Sequence, residues 1–338
     1  MDATEDNGAE LAEARRLVEE ARGAIQPDVP RATYRVQLHA GFTFADARAA
    51  VGYLAELGVS HLYSSPFFKA RPGSTHGYDL VDHNALNPEI GPPGELDALS
   101  AALRERGMGL VLDFVPNHMG IGADENAWWA DVLENGPSSL HAPYFDVDWA
   151  PVKPELRNKV LLPVLGDHYG RVLERGEMKV ELEGGAFSLR YYEHRFPLNP
   201  RTYTLILEPL VPGLLEELGE EHDALLELLS ILTGLRNLPT RTETRRARVI
   251  ERRREKEILK RRLAALIAEV PAVERAVRAG IERLNGEVGN PRSFDPLDLV
   301  LEEQAYRLSY WRTAAEEINY RRFFDINDLA AIRMENPA

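Results

Sequence analysis

Residues 109–118 read Gly-Leu-Val-Leu-Asp-Phe-Val-Pro-Asn-His. Leu110, Val111, Leu112, Phe114 and Val115 form a nearly continuous apolar run, too short for an ordinary helix and bracketed by Gly109 and Pro116. Such a run predicts a fully buried strand of a parallel sheet. Asp113 interrupts it, and a buried carboxylate persists only when it is paired or hydrogen-bonded. The strand empties into Asn117 and His118. In a closed α/β barrel, polar side chains just past the carboxyl end of a strand stand where an active site is built.

The chain before this stretch supplies the rest of a parallel unit. Ala32 to Leu38 suits a strand. Phe44, Ala47, Val51, Leu54 and Leu57 keep helical spacing up to the stop at Gly58. Val59 to Tyr63 predicts a second strand, and Glu95 to Arg106 a second helix ended by Gly107. Strand–helix–strand–helix–strand opens a parallel α/β domain with right-handed crossovers. Residues 1–29 read as an N-terminal extension. In it Leu11, Ala14, Leu17, Val18 and Ala21 mark a modest amphipathic helix ahead of Pro27 and Pro30.

After His118 the rhythm breaks. Residues 119–317 read as a long insertion, irregular at first around Trp128, Trp129, Tyr144, Phe145 and Trp149, then helical from about 211 to 285. The run Arg241 to Arg262 carries both charge signs. That pattern favours a solvated helix laced with pairs such as Glu251 with Arg254 and Glu257 with Arg261 over a patch for an anionic ligand. Residues 297–312 read as a helix leading into Ile318–Arg333.

The 338 residues are 44% hydrophobic and 28% charged, with a formal net charge of −14 and no cysteine. So acidic a chain argues against nucleic acid or an anionic membrane as partner. The lack of cysteine excludes disulfides and thiolate metal sites. Met1-Asp2-Ala3-Thr4-Glu5-Asp6 has no apolar core of a secretory signal, and no apolar run approaches the length of a membrane span, so a cytoplasmic location is the expectation.

Two further stretches carry chemistry. In the loop Arg71–Asp82, Gly73 and Gly77 allow a tight path that would display His76 and Tyr78 at the same barrel end as Asn117 and His118. A tyrosine ring suits the face of a pyranose, and imidazole can bond its hydroxyls. In Ile318–Arg333, Arg321 and Arg322 stand beside aromatic residues, a combination that suits sugar recognition. The same arginines would equally serve a packing corner, paired with Asp325 or Asp328.

Asp113-Phe114-Val115-Pro116-Asn117-His118 resembles the first signature block of the α-amylase family, D-x-V-x-N-H, and His76-Gly77-Tyr78 resembles a second block of that family. The stretches Tyr34–Phe44, Lys69–Asp82 and Ile318–Arg333 are similar, more narrowly, to the maltooligosyl trehalose synthases. The resemblance runs from about Ala32 onward, and Asn319-Tyr320-Arg321-Arg322-Phe323-Phe324-Asp325 is its most specific part. It implies the N-terminal part of a (β/α)₈ TIM barrel: the first three strands within 30–118, the insertion 119–317, and 318–338 returning toward a fourth strand. Val36, Leu62 and Val111 would then line the barrel interior.

The implied activity is an intramolecular transglucosylation. The reducing-end α-1,4 bond of a maltooligosaccharide becomes an α,α-1,1 bond, leaving a trehalose end. By this resemblance His76, Tyr78, Asn117, His118, Arg321 and Arg322 contact the glucan, with Tyr78 stacking on the sugar and His118 bonding it beside the reacting carbon. Asp79 and Asp113 support the site, Asp113 by holding an arginine near the nucleophile. Asn117 is a calcium ligand in many amylases, but related trehalose-forming enzymes do not obviously need the ion, so neither metal nor cofactor is expected. Retaining glycosyl chemistry needs a nucleophilic carboxylate and a carboxylic acid. In the family these lie on the fourth and fifth strands, expected beyond residue 338, so no catalytic residue is assigned here. The remainder of the barrel is the expected partner. Competing readings are another amylase-family hydrolase or transferase, and a non-catalytic α-glucan-binding protein.

Overall fold

The computed structural model describes residues 12–20, 29–122 and 126–336. Residues 12–20 are helical and exposed throughout, with Arg16 bonded to Glu13 at 2.6 Å; Leu11, Ala21 and Pro27 of the expected extension lie outside the described residues. The chain divides into two compact units: residues 1–67, 75–77 and 86–114 form the smaller, and 68–74, 78–85 and 115–338 the larger.

In the smaller unit, three parallel strands are ordered Thr33–Val36, His61–Ser64, Gly109–Leu112, with His61–Ser64 in the centre. The helix Phe44–Glu56 starts from a capping box. Thr43 accepts from the Asp46 amide, and the Asp46 carboxylate accepts from the Thr43 amide at 2.8 Å. The Thr43 amide first, and the Thr43 hydroxyl after it, both donating to the Asp46 carboxylate at 2.8 Å, hold that carboxyl below its usual value. Pro93 opens the second helix, Pro93–Glu105, at a position where no amide hydrogen is needed. The helices bury Phe44, Val51, Leu54, Leu99 and Leu103, each contributing roughly 1.5–3 kcal/mol by leaving water. Gly109 has a specific cause: a Cβ there would stand 2.3 Å from the ring of His61, its partner in register.

The strand from Gly109 ends at Leu112 and is only half-buried, with Leu112 36% and Phe114 50% exposed. The full burial expected of it fails because it is an edge strand, paired on one side only among the described residues. A parallel strand reads as a continuous apolar run because both its faces expect cover. Side chains alternate across the sheet. Val36 and Leu62 therefore share one face and are buried, while Arg35, Tyr63 and Val111 fall on the other. Val36 and Leu62 thus sit opposite the polar face rather than on it with Val111.

The larger unit has one continuous apolar core. Helices Val211–Leu218, Asp223–Asn237, Arg246–Glu269 and Pro271–Leu284 occupy much of the stretch expected to be helical. The part expected to be irregular contains strands. Met178–Glu183, Ala186–Tyr191 and His194–Pro197 form an antiparallel meander. Its first turn is Gly184-Gly185, both with positive φ, the conformation that tight hairpins favour. The expected helix over 297–312 is instead a helix, Asp295–Glu302, followed by a strand, Tyr306–Tyr310, which pairs in parallel with Val160–Leu165. Tyr306 and Leu308 point inward and Arg307 outward, the period of a strand.

The Arg246–Glu269 helix is not solvated all round. Arg252 and Lys256 are 1% and 4% exposed. Lys256 and Lys260 both bond the Glu134 carboxylate, and Lys256 lies 3.4 Å from Asp131. Arg252 donates to Asn135 Oδ1 at 3.0 Å, to Asn199 Oδ1 at 2.8 Å and to the Pro239 carbonyl. The expected pairs are replaced by Arg248 with Glu251 at 2.5 Å, Arg254 with Glu255 at 2.8 Å, and Lys260 with Glu257 at 3.3 Å. Among the described residues no helix is long and apolar enough to cross a membrane.

Candidate functional site

His118 opens the strand His118–Gly120, which pairs antiparallel with Ile326–Ala331; His118 stands opposite Ala331. That pairing brings the most specific block of the sequence onto the Asn117-His118 end. The Ile332 amide donates to the Asn117 carbonyl at 2.9 Å, and Phe323 stacks on the His118 ring at 4.0 Å between centroids.

The His118 ring is 1% exposed, and both its nitrogens are engaged. Nε2 lies 2.9 Å from the Tyr78 carbonyl and Nδ1 2.9 Å from Asn117 Oδ1. Burial first, and His83 with it, lowers the His118 pKa against the opposing pull of the Tyr78 carbonyl and Asp79. A neutral ring donates once and accepts once. Nε2 therefore donates to Tyr78, and Nδ1 is satisfied when the Asn117 amide offers its NH₂ in place of its oxygen.

Around this corner the larger unit holds most of the sequence-predicted residues. Tyr78 is half-buried. Asp79 accepts from Ser74 Oγ at 2.5 Å, and its carbonyl accepts from the Arg71 amide at 3.1 Å. Arg321 lies 3.4 Å from Asp146. Arg322 bonds Asp325 at 2.5 Å and Asn327 at 2.6 Å. Both arginines thus hold carboxylates. His76 and Asp113 belong to the smaller unit, where His76 is exposed.

On the smaller unit's polar face, Asp113 Oδ2 accepts from the Tyr63 hydroxyl at 3.2 Å and lies 3.8 Å from Arg35 Nη2. The Arg35 guanidinium sits 5.6 Å over the Tyr63 ring. An arginine for Asp113 is therefore present on the first strand, whereas the sequence reading looked for one past the end of the chain.

Sequence reasoning singled out the Phe323-Phe324 block but named neither ring. Phe323 covers His118, while Phe324 is 83% exposed at φ 53°, a conformation that a bulky side chain rarely adopts. The visible signal was the double aromatic beside the double arginine. A small concavity of about 40 Å³ abuts the same block, with Trp129, His194, Phe196, Tyr320, Asn327 and Asp328 in its wall. Among the described residues no group of three or more His, Asp or Glu is arranged to hold a metal ion.

Residues 49–170 match the family model of the α-amylase catalytic domain. A putative maltooligosyl trehalose synthase of Mycobacterium tuberculosis is 52% identical over 141 residues, covering 40% of this chain and 18% of that protein. An intracellular maltogenic amylase of Bacillus subtilis is 37% identical over 100 residues, 30% of this chain and 16% of that protein. Among solved structures, the maltooligosyltrehalose synthase of Arthrobacter ramosus is 32% identical, with a TM-score of 0.56 over 91% of this chain and 28% of that one. The chain thus spans under a third of the length of the relatives it matches. The fold is α/β of the TIM-barrel type. By sequence and by fold, the chain is similar to the maltooligosyl trehalose synthases, and over residues 49–170 to the α-amylase catalytic domain.

Proposed function

We propose that this chain is the glucan-holding part of a maltooligosyl trehalose synthase. In that reading it serves the conversion of a maltooligosaccharide's reducing-end α-1,4 bond into an α,α-1,1 bond. The observation that supports this most is the junction at His118. There the Asn117-His118 end of the D-x-V-x-N-H block meets the Ile318–Arg333 block, far apart in sequence, at one small sheet, with Phe323 stacked on His118.

In this reading residues 30–118 carry the first three barrel strands, 119–317 are an insertion, and 318–338 return toward the barrel. Tyr78 supplies a stacking face, with Phe324 as a second apolar surface, and Arg321 and Arg322 bond hydroxyls; on the smaller unit, exposed His76 is a hydroxyl-bonding group in its own right. His118 and Asn117 act first by orientation. His118 grips the Tyr78 backbone and fixes the position of that ring, and it reaches a sugar itself once the Phe323 stack opens. Asp79 fixes the loop through Ser74, and Asp113 holds Arg35 and Tyr63. No residue assigned here serves as nucleophile or as acid, because Asp79 and Asp113 are taken up by these contacts.

The test is a chimera in which this chain replaces the corresponding part of the Arthrobacter ramosus enzyme. The expected result is trehalose-end formation from maltopentaose, lost in the Tyr78→Ala chimera. A folded chimera that only hydrolyses maltopentaose would favour an amylase-type reading; one that binds glucan without turnover would favour a glucan-binding protein.

A further inference from the structure

A second polar groove lies in the larger unit, in the segment read as insertion. It is open, of about 410 Å³, and is lined by Arg201, Thr204, Thr240, Arg241, Thr242 and Glu303 among others. Its chemistry runs against that of the chain as a whole. In a protein of net charge −14, this groove has two guanidinium groups and one carboxylate in its wall.

The two arginines are held in place without being neutralised. Arg201 donates to the Leu238 carbonyl, and Arg241 to the Asn158 carbonyl at 2.5 Å. No carboxylate lies within ion-pair distance of either guanidinium among the described residues, and each keeps the rest of its fork for another acceptor. Buried Arg252 adds a third positive charge behind them. Its pKa is lowered to about 10, by burial first and then by Arg201 and Arg241, against the pull of Glu134 and Asp131. Burial also lowers Arg241, with Glu303 opposing. Lys159 is lowered by burial and next by Arg241. These cations repel one another, and a bound anion would relieve them. Thr240 and Thr242, their hydroxyls 3.1 Å apart and both residues exposed, offer neutral donors beside the arginines.

We propose that this groove binds a phosphate-type oxyanion, either free or carried on a sugar, gripped by Arg201 and Arg241 and bonded by Thr240 and Thr242. Guanidinium forks match the geometry of such oxygens, and charge-assisted bonds are the strong ones. The groove has room for a hexose beside the phosphate. It is distinct from the His118 corner, so its occupancy does not depend on the glucan reading.

The test is calorimetric titration of the 338-residue chain with inorganic phosphate and, separately, with glucose 1-phosphate. Sodium chloride at matched ionic strength is the control. Saturable binding of either probe, absent with chloride, is expected. Tighter binding of glucose 1-phosphate identifies a sugar ester as the ligand; equal binding identifies the free ion. Arg241→Gln should weaken binding about tenfold or more, the loss of a charge-assisted bond. Thr242→Val, at an exposed position, should weaken it about threefold while leaving the melting temperature in phosphate-free buffer unchanged. Absence of binding by both probes at roughly 10 mM, or binding that neither substitution weakens, would overturn the proposal.

Discussion

Asp113 and Glu134 are both carboxylates set among apolar residues, yet the two units hold them differently. Asp113 stands on the polar sheet face, with the Tyr63 hydroxyl at 3.2 Å and Arg35 at 3.8 Å, and the Arg35 side chain is half-exposed. Glu134 is sealed inside the larger unit and bonded by Lys256 and Lys260. Burial pushes the Glu134 carboxyl up, but the two ammonium groups more than offset this and leave it below the usual glutamate value. Lys260 is raised in spite of burial, through Glu134 first. The difference is between short ion pairs sealed from water and longer contacts beside a half-exposed guanidinium. Inside the larger unit, charges tie the Arg246–Glu269 helix to the Ala127–Asn135 helix; on the sheet face, the half-exposed Arg35 guanidinium still meets water.

The sharpest way to break this contrast is Glu134→Gln. It leaves two buried ammonium groups without their shared carboxylate and should cost about 3–5 kcal/mol in urea unfolding. A cost under about 1 kcal/mol would mean that water reaches the cluster. The same comparison has a pH form. Because the folded Glu134 pKa is depressed, its contribution is full above the unfolded value and is lost as pH falls through the lower folded value. Lys260, whose pKa is raised, contributes below its unfolded value and loses that contribution as pH rises through the higher folded one.

His118→Ala comes next. Removing a buried, stacked and doubly bonded ring should cost about 2–3 kcal/mol in the chain. It should also remove a pH slope. The His118 pKa is depressed, so the unfolded chain binds more protons between the depressed value and the ordinary one, and stability falls as pH drops through that window. Unfolding of the parent and the variant at about pH 7.5 and about pH 5.5 reads both effects. A parent–variant difference that ignores pH would contradict the neutral-ring assignment. Asp113→Asn should be the mildest, about 1 kcal/mol, since the Arg35 contact is long and partly solvated. A cost as large as that of Glu134→Gln would erase the contrast.

Much of the smaller unit was legible in the sequence. Gly58 and Gly107 end helices whose apolar spacing is clean, and the observed helices agree with the expected ones to within two residues at each end. What misled was burial: an apolar run announces a strand that expects cover, not one that has it. In the larger unit Gly184-Gly185 was a readable hairpin signal, overshadowed by the aromatic and proline-rich stretch before it. The break inside 297–312 was harder, since its leucines fit a helix until Tyr306 finds Val160. The inward face of the Arg246–Glu269 helix could not be read, because mixed charge looks the same whether water or a distant Glu134 answers it. For the candidate site, the residue types were visible in two blocks, but their meeting depends on a strand pairing between distant segments.

We propose that these residues hold a glucan and do not by themselves transform it. Incubating maltopentaose with the 338-residue chain, and following the anomeric protons by NMR, tests it directly. The account predicts line broadening of the glucan signals that is absent in the Tyr78→Ala chain, with no α,α-1,1 signal and no shorter products. Sustained formation of trehalose ends or free glucose by this chain alone would contradict it.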